Sequence, residues 1–476
     1  MPVQFNRTKI ICTIGPASAE TETIIRLARN GMNIARINMS HGSDESKLAI
    51  VENIRKAEKM IGYPIPIIAD LCGPKLRLGE IKEPFEISEG EELIITSENI
   101  TGTRERVSTS YKNLPSDVKR GDPVLINDGL IKLEVIDKTD TDIICKVIDG
   151  GLVQSRKGIN LPGTKLSIPL ITEKDKKDID FGIKNGADFF AMSFVTSGAD
   201  IRELKSIITG KAQDIPVIAK IERPAAVNDI DSICGESDAV MIARGDLGVE
   251  VLPEEVPMIQ KMIISKCIEK NTPVITATQM LESMISSPRP TRAEASDVAN
   301  AVLDGTDAVM LSGETSVGSY PVETVSMMKR ICGKTEKKGF YINRMRLRRN
   351  KDENSGDFLV NNMTRAVCSF AVDIDAAAII VITKTGKTAR MLSRFRINTP
   401  VIAFVEKEKI IKYLTPVWGV KGELIDNMSD TDSTLKRAKE LALKLGYIKT
   451  GDHVIFVAGI PLLESNKVNM MKVEVV

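Results

Sequence analysis

Histidine is almost missing from this sequence: His41 and His453 are the only two in 476 residues. A histidine-based nucleophilic triad or a multi-histidine metal site has no material to be built from. Cysteine is sparse in a different way, with seven residues (Cys12, Cys72, Cys145, Cys234, Cys267, Cys332, Cys368) scattered singly along the chain. No close pair has the spacing of a zinc or redox motif, so reduced and mostly buried thiols are expected. Net charge is also lacking, because 65 Lys and Arg stand against 64 Asp and Glu. No global field draws the chain to nucleic acid or to an anionic membrane, and any anion binding must be local. No apolar run approaches membrane-spanning length and the opening MPVQFNRTK has no signal-peptide core, so a cytoplasmic location is expected. What remains for chemistry is Lys, Arg, Asp, Glu, Ser and Thr.

An apolar fraction of 42% over this length supports two or three domains with sizeable cores. The most informative stretch runs from Ile215 to Glu250, IPVIAKIERPAAVNDIDSICGESDAVMIARGDLGVE. Its two apolar runs lack polar alternation, as strands of a buried parallel sheet do, and each ends abruptly in charge. The period of two places Lys220 and Glu222 on one face, and Asp246 is expected at the end of the second strand. One ammonium and two carboxylates at neighbouring strand ends could hold a divalent cation beside an anionic substrate. The competing explanation is an ion pair closing a sheet edge.

Similar runs recur along the chain as KIICTI, NIARIN, PIPIIAD, DFFAMSF, PVIAKIE, DAVMIA, PVITAT and DAVML, with helical stretches between them. This rhythm and number predict an α/β fold, a (β/α)8 TIM barrel, in preference to an open doubly wound sheet. Arg36, Asn38, Ser40, Asp70, Ser193, Lys220, Glu222, Asp246, Thr278, Ser312 and Glu314 all fall at C-terminal strand ends, where such barrels carry their active sites. Core packing would scatter polar residues over both ends. The short, Gly-rich, alternating segments after the third strand predict an inserted antiparallel β-domain. Barrel segments are expected at 1–72 and 167–338, the insert at 73–166, and a C-terminal α/β domain at 339–476.

The basic run INRMRLRRNKDENSG has no aromatic interleaving and is expected as a solvated helix end rather than a nucleic-acid site. In the C-terminal domain, TKTGKTARMLSRF follows an apolar strand. Thr383, Lys384, Thr385, Gly386, Lys387 and Thr388 there form a phosphate-cradle candidate without Walker A spacing; a capped helix start is the alternative.

The segments ARINMSHG, ADLCGPKLR, AKIE, ARGDLG, TATQMLESM, PRPTRAEASDVANAVLDGTDAVMLSGET and TKTGKTARMLSRFR closely resemble the pyruvate kinase family, in order and over nearly the whole chain. The resemblance implies phosphoryl transfer from phosphoenolpyruvate to ADP, a lid-like inserted domain, Mg²⁺ as cofactor and a homotetramer. It implies that Lys220, Arg36, Thr278 and Ser312 are catalytic, with Lys220 stabilising charge on the phosphoryl and enolate. Glu222 and Asp246 would be the magnesium ligands. The Gly245 and Asp246 amides and Thr278 would receive the substrate carboxylate, and Arg36 the phosphate. Asn38, Ser40, His41 and Arg77 would form the nucleotide side, with Thr13 and Pro16 at its rim, and Thr383 to Thr388 would take a phosphorylated effector. Many relatives bind potassium through the positions of Asn38, Ser40, Asp70 and Leu71 and carry an acidic residue where this chain has Lys75. The fixed ammonium of Lys75 predicts that potassium is not required. Two rival functions fit parts of the pattern: a magnesium-dependent pyruvate aldolase on the same barrel, and a non-catalytic phosphometabolite sensor.

Overall fold

The computed structural model describes residues 6–164, 166–338, 358–428, 430–462 and 468–476. Eight parallel strands close into a barrel: β1 (Lys9–Thr13), β2 (Ile34–Asn38), β3 (Ile67–Asp70), β12 (Phe189–Met192), β13 (Val217–Ile221), β14 (Ala239–Ala243), β15 (Val274–Ala277) and β16 (Ala308–Leu311). Neighbours around the ring follow chain order, and β16 closes on β1 through pairs such as Lys9 with Ala308. The lack of polar alternation has a direct cause, because successive residues enter two different cores. Ile11, Ile34, Ile68, Phe189, Ala191, Ile218, Met241, Ile275 and Met310 pack together inside the barrel. Their sequence neighbours, such as Ile10, Ala35, Val217 and Val309, pack outward against the helices. Both faces must be apolar when both are covered.

The same period of two carries the inner face outward to the mouth. Two residues after inward Ile11, Ile34, Ile68, Ala191, Ile218 and Met310 stand Thr13, Arg36, Asp70, Ser193, Lys220 and Ser312. One expectation needs correcting. Asp246 does not end a strand: β14 stops at Ala243, and Arg244–Glu250 forms a short helix that carries Asp246 in its first turn. Gly245 has no side chain to extend the strand pleat, and the chain turns there to bring its amide under Thr278.

Between β3 and β12 lies the insert. Its strands are β4 (Phe85–Ile87), β5 (Glu92–Thr96), β6 (Arg106–Ser108), β7 (Pro123–Ile126), β8 (Ile131–Lys138), β9 (Asp142–Asp149), β10 (Gly151–Val153) and β11 (Ile159–Asn160). A six-stranded sheet runs in the order β11-β7-β8-β9-β5-β6, and β10 pairs with β4. The pairing is antiparallel except for β5 with β6. In β8, Ile131, Leu133 and Val135 enter a separate core while Lys132 and Glu134 face solvent, the one-sided pattern of such a sheet.

The C-terminal sheet has the order β19-β18-β17-β20-β21, from β17 (Ala378–Ile382), β18 (Val401–Val405), β19 (Val420–Leu424), β20 (His453–Ala458) and β21 (Met470–Val475). AIIVI in β17, VIAFV in β18 and HVIFVA in β20 are apolar runs in the sequence, whereas β19 is not. Its VKGEL carries Lys421 and Glu423 because it is an edge strand, where no second face demands apolar residues. The barrel is tied to this domain by a buried ion pair, Arg396 to Asp307 at 2.6 Å, whose carboxylate also accepts the Trp418 amide. Lys9, at the base of β1, donates to the Val420 carbonyl at 2.7 Å. The basic run 342–356 lies outside the described residues.

Candidate active site at the barrel mouth

The strongest cluster joins three strands. Lys220 Nζ lies 2.8 Å from Glu222 Oε1, 3.2 Å from Asp70 Oδ1 and 2.7 Å from Ser193 Oγ. Arg36 Nε reaches the other Asp70 oxygen at 2.7 Å, and its Nη1 donates to Thr13 Oγ1, which passes the bond on to the Leu311 carbonyl. Glu222 Oε2 accepts the Phe194 amide at 2.7 Å. Asp70, Lys220 and Glu222 are buried, so each charge is fixed in place rather than screened.

Burial alone would lower the Lys220 pKa, but Asp70 and then Glu222 outweigh it and hold the ammonium above the ordinary lysine value. Burial would raise Asp70, yet Lys220 and Arg36 keep it below the usual carboxylate range. Glu222 behaves differently. Burial raises it, Lys220 opposes, and the like charge of Asp246 adds to the rise, so it stays above its ordinary value. A carboxylate pair that resists carrying two negative charges is short of positive charge at that point, and hard carboxylate oxygens suit a divalent cation.

The second feature is a strained turn. Thr278 and Gln279, just past β15, both have left-handed backbones, with φ of 65° and 53°. A β-branched residue in that region costs about 1–3 kcal/mol and persists only when its surroundings hold it. The Arg244 guanidinium does so, donating to the Thr278 carbonyl at 2.9 Å, the Gln279 carbonyl at 3.1 Å and Asp297 at 2.8 Å. The turn sets Thr278 Oγ1 to accept the Gly245 amide at 2.7 Å. Next to it, the buried Glu314 accepts the Ser312 amide at 2.7 Å and the Leu281 amide at 3.1 Å, locking the loops after β15 and β16 together. Arg244 and Phe194 went unassigned in the sequence. An arginine directly after an apolar strand, followed by Gly-Asp, was the available signal for the first.

On the β2 side, Asn38 Nδ2 meets His41 Nδ1 at 2.9 Å and Asn38 Oδ1 accepts the Ser40 amide. Burial lowers the His41 pKa, and Arg77, Lys75, Arg36 and Lys174 lower it further. Four cations acting on one imidazole mark a positive rim suited to anions. Arg77 stands at the base of the insert, its Nη1 donating to the Arg156 carbonyl. Pro16 is exposed at the edge of the mouth, whereas Thr13 is buried beneath Arg36. The Leu71 carbonyl accepts Ser193 Oγ at 2.8 Å, and both oxygens of Asp70 are engaged by cations. Lys75 is exposed and its aliphatic stem runs beside Gly158.

The segment Thr383–Thr388 follows β17 in the C-terminal domain and runs into the first turn of the helix Lys387–Ser393. Thr383 Oγ1 accepts the Gly386 amide at 3.0 Å, so part of this turn is capped from within.

A closed parallel barrel with a paired ammonium and carboxylates at its mouth, a positive rim and an inserted β-domain defines a (β/α)8-barrel enzyme with a mouth suited to anions. Residues 5–325 match the family model described as the pyruvate kinase barrel domain, and residues 361–474 match the pyruvate kinase alpha/beta domain. The chain belongs to the pyruvate kinase family. It is 43% identical to a pyruvate kinase of Geobacillus stearothermophilus over 474 residues, covering 99% of this chain and 80% of that one. It is 42% identical to a pyruvate kinase of Staphylococcus aureus, with 99% and 81% covered. A crystal structure of a pyruvate kinase from Cryptosporidium parvum superposes with a TM-score of 0.91 at 40% identity, over 98% of this chain and 96% of that one.

Proposed function

We propose that this chain transfers the phosphoryl group of phosphoenolpyruvate to ADP, giving pyruvate and ATP, the last step of glycolysis. The observation that carries the reading is the Lys220 cluster: a fixed ammonium between Asp70 and Glu222 at the mouth of a barrel of this family. An ADP oxygen forms the new bond to phosphorus, the bond from phosphorus to the enol oxygen breaks, and the enolate takes a proton. The protein's task is to position the reactants and neutralise charge as it moves. Lys220 and Arg36 supply fixed positive charge to the phosphoryl group and the departing enolate oxygen. The Gly245 and Asp246 amides and Thr278 receive the substrate carboxylate at the strained turn. Thr278 and Ser312 stand after adjacent strands, where a bound water could carry the proton to the enolate.

Glu222 and Asp246 would hold Mg²⁺, which when bound adds positive charge against the substrate oxygens. Asn38, Ser40, His41 and Arg77, with Thr13 and Pro16 at the rim, would form the nucleotide side. Lys75 adds a cation to the rim near His41, so we infer that potassium is not required. A phosphorylated effector at Thr383–Thr388 and a homotetramer complete the reading. The edge strand β21, which exposes Met471, Val473 and Val475, supports self-association. Among the described residues no helix is long and apolar enough to cross a membrane.

An assay of ATP formation from phosphoenolpyruvate and ADP with Mg²⁺ tests the proposal. ATP and pyruvate should appear in equal amounts. Pyruvate consumption with an aldehyde, without ATP formation, would favour the aldolase instead.

A further inference from the structure

Glu222 is fixed by two donors from two different strands. Lys220 Nζ holds Oε1 at 2.8 Å, and the backbone amide of Phe194 donates to Oε2 at 2.7 Å. That amide belongs to a second strained turn. Phe194 stands two residues past β12 with a φ of 58°, a left-handed backbone that a bulky residue keeps only when its surroundings hold it there. At Thr278 the hold comes from Arg244. At Phe194 it comes through the ring.

Along its Cδ2–Cε2 side the Phe194 ring meets Gly73, three residues past β3 on the way into the insert. A Cβ on Gly73 would stand 2.8 Å from Phe194 Cδ2, so a side chain there would displace the ring, and the φ of +64° at Gly73 favours glycine as well. Gly73 is itself held. Its amide donates at 3.1 Å to Asp175, in the helix Glu173–Lys184 by which the chain re-enters the barrel, and the same carboxylate accepts the Thr172 amide at 2.9 Å. Over the ring lies the Arg223 guanidinium, 5.0 Å from the centroid. Arg223 follows Glu222 directly and precedes the short helix Pro224–Asn228, so one turn of chain carries both the carboxylate and the cation set on the ring. Arg223 Nε is buried with no hydrogen-bond partner among the described residues, a cost that the electron-rich ring partly offsets. A ring that only fills space needs no left-handed backbone. Here the costly backbone coincides with the amide that reaches Glu222.

We infer that Phe194, held by Gly73 and Arg223, is a positioning residue for Glu222: it aims the carboxylate before a divalent cation arrives. The inference rests on the reading of Glu222 as a metal ligand and adds the residues that orient it. Groups that orient a metal-ligating side chain contribute roughly 10–100-fold to metal affinity.

Titration of the full chain with Mn²⁺ in the absence of substrates, followed by the electron paramagnetic resonance signal of the free ion, tests it. Phe194→Gly keeps a backbone that can adopt the turn but removes the ring, and it should weaken Mn²⁺ binding about tenfold. Arg223→Met should weaken it about threefold, the value of one cation–aromatic contact. Phe194→Tyr retains the ring and should bind within about twofold of the parent. The Mg²⁺ concentration that gives half-maximal rate should rise by the same factors. The change belongs in the dissociation constant, with the number of sites per chain preserved; fewer sites at an unchanged constant would mark loss of fold alone and overturn the positioning role. Phe194→Gly binding Mn²⁺ like the parent, while Glu222→Gln loses it, would also overturn that role and leave Glu222 as a ligand. If the parent binds no Mn²⁺, or Glu222→Gln binds it as the parent does, the metal reading of Glu222 falls and the inference with it.

Discussion

Lys220→Gln separates electrostatic catalysis from simple packing at the barrel mouth. In the parent, Nζ holds Ser193 at 2.7 Å, Glu222 at 2.8 Å and Asp70 at 3.2 Å. Glutamine keeps a polar group near Ser193 but removes the positive charge. Loss of a single fixed donor to developing negative charge lowers kcat by roughly 10²–10³-fold, or about 2.7–4 kcal/mol of barrier. An ammonium in a buried site should reach at least the upper end of that range. Removing one partner of a buried ion pair costs roughly 3–5 kcal/mol of stability. Here the lower end applies, because Asp70 retains Arg36 and Glu222 can take up a proton.

That proton gives a second readout. Glu222 already titrates above its ordinary value through burial, with Lys220 opposing the rise. Without Lys220 the carboxyl of the metal-free enzyme protonates at still higher pH and protons compete better with Mg²⁺ there, so at limiting Mg²⁺ the acid limb of kcat/KM should move to higher pH. A coupled assay with lactate dehydrogenase over pH 5–9 measures both effects. Turnover within a few-fold of the parent, or an acid limb that stays in place, would refute the electrostatic role.

Three further outcomes are expected. With sodium or tetramethylammonium as the only monovalent cation, the parent should retain most of its rate, and Lys75→Glu should lose at least about tenfold until potassium is added; a large potassium requirement in the parent would show that Lys75 does not fill the cation's place. Arg396→Met leaves the carboxylate of Asp307 buried at the domain seam and should cost roughly 3–5 kcal/mol, measured by urea denaturation; an unchanged midpoint would show that the pair contributes nothing. Lys9 is pulled down from 10.5 to about 7, chiefly by burial and then by Lys421, so the unfolded chain binds more protons between those values. Its contribution therefore favours folding fully above about pH 10.5 and is lost as pH falls through about 7. The stability difference between the parent and Lys9→Met should follow that direction in parallel melts from pH 7 to 10, and a flat difference would contradict it.

Much of the barrel could be read from local pattern. Two-sided burial requires apolar runs, and the period of two then dictates that Lys220 and Glu222, or Arg36 and Asn38, share a face. The resemblance to the family added substrates to those positions. Less legible were features with no local signature. The edge strand β19 looks polar because its burial is partial, and the helix at Arg244–Glu250 begins inside what sequence alone presents as a strand end. The partnership of Asp70 with Lys220 joins β3 to β13 across the intervening β12, a contact set by strand order and sheet curvature that no local pattern displays.

By itself, then, the sequence determined which residues face the lumen and that polar groups gather at one end of the strands, because side-chain alternation is a property of each strand alone. Only the tertiary structure decided that Asp70 is shared by Arg36 and Lys220, that Arg244 holds Thr278 in a left-handed turn, and that the Phe194 ring packs against both Gly73 and Arg223. Those relations depend on where distant segments meet, and burial then sets how strongly their charges act on one another.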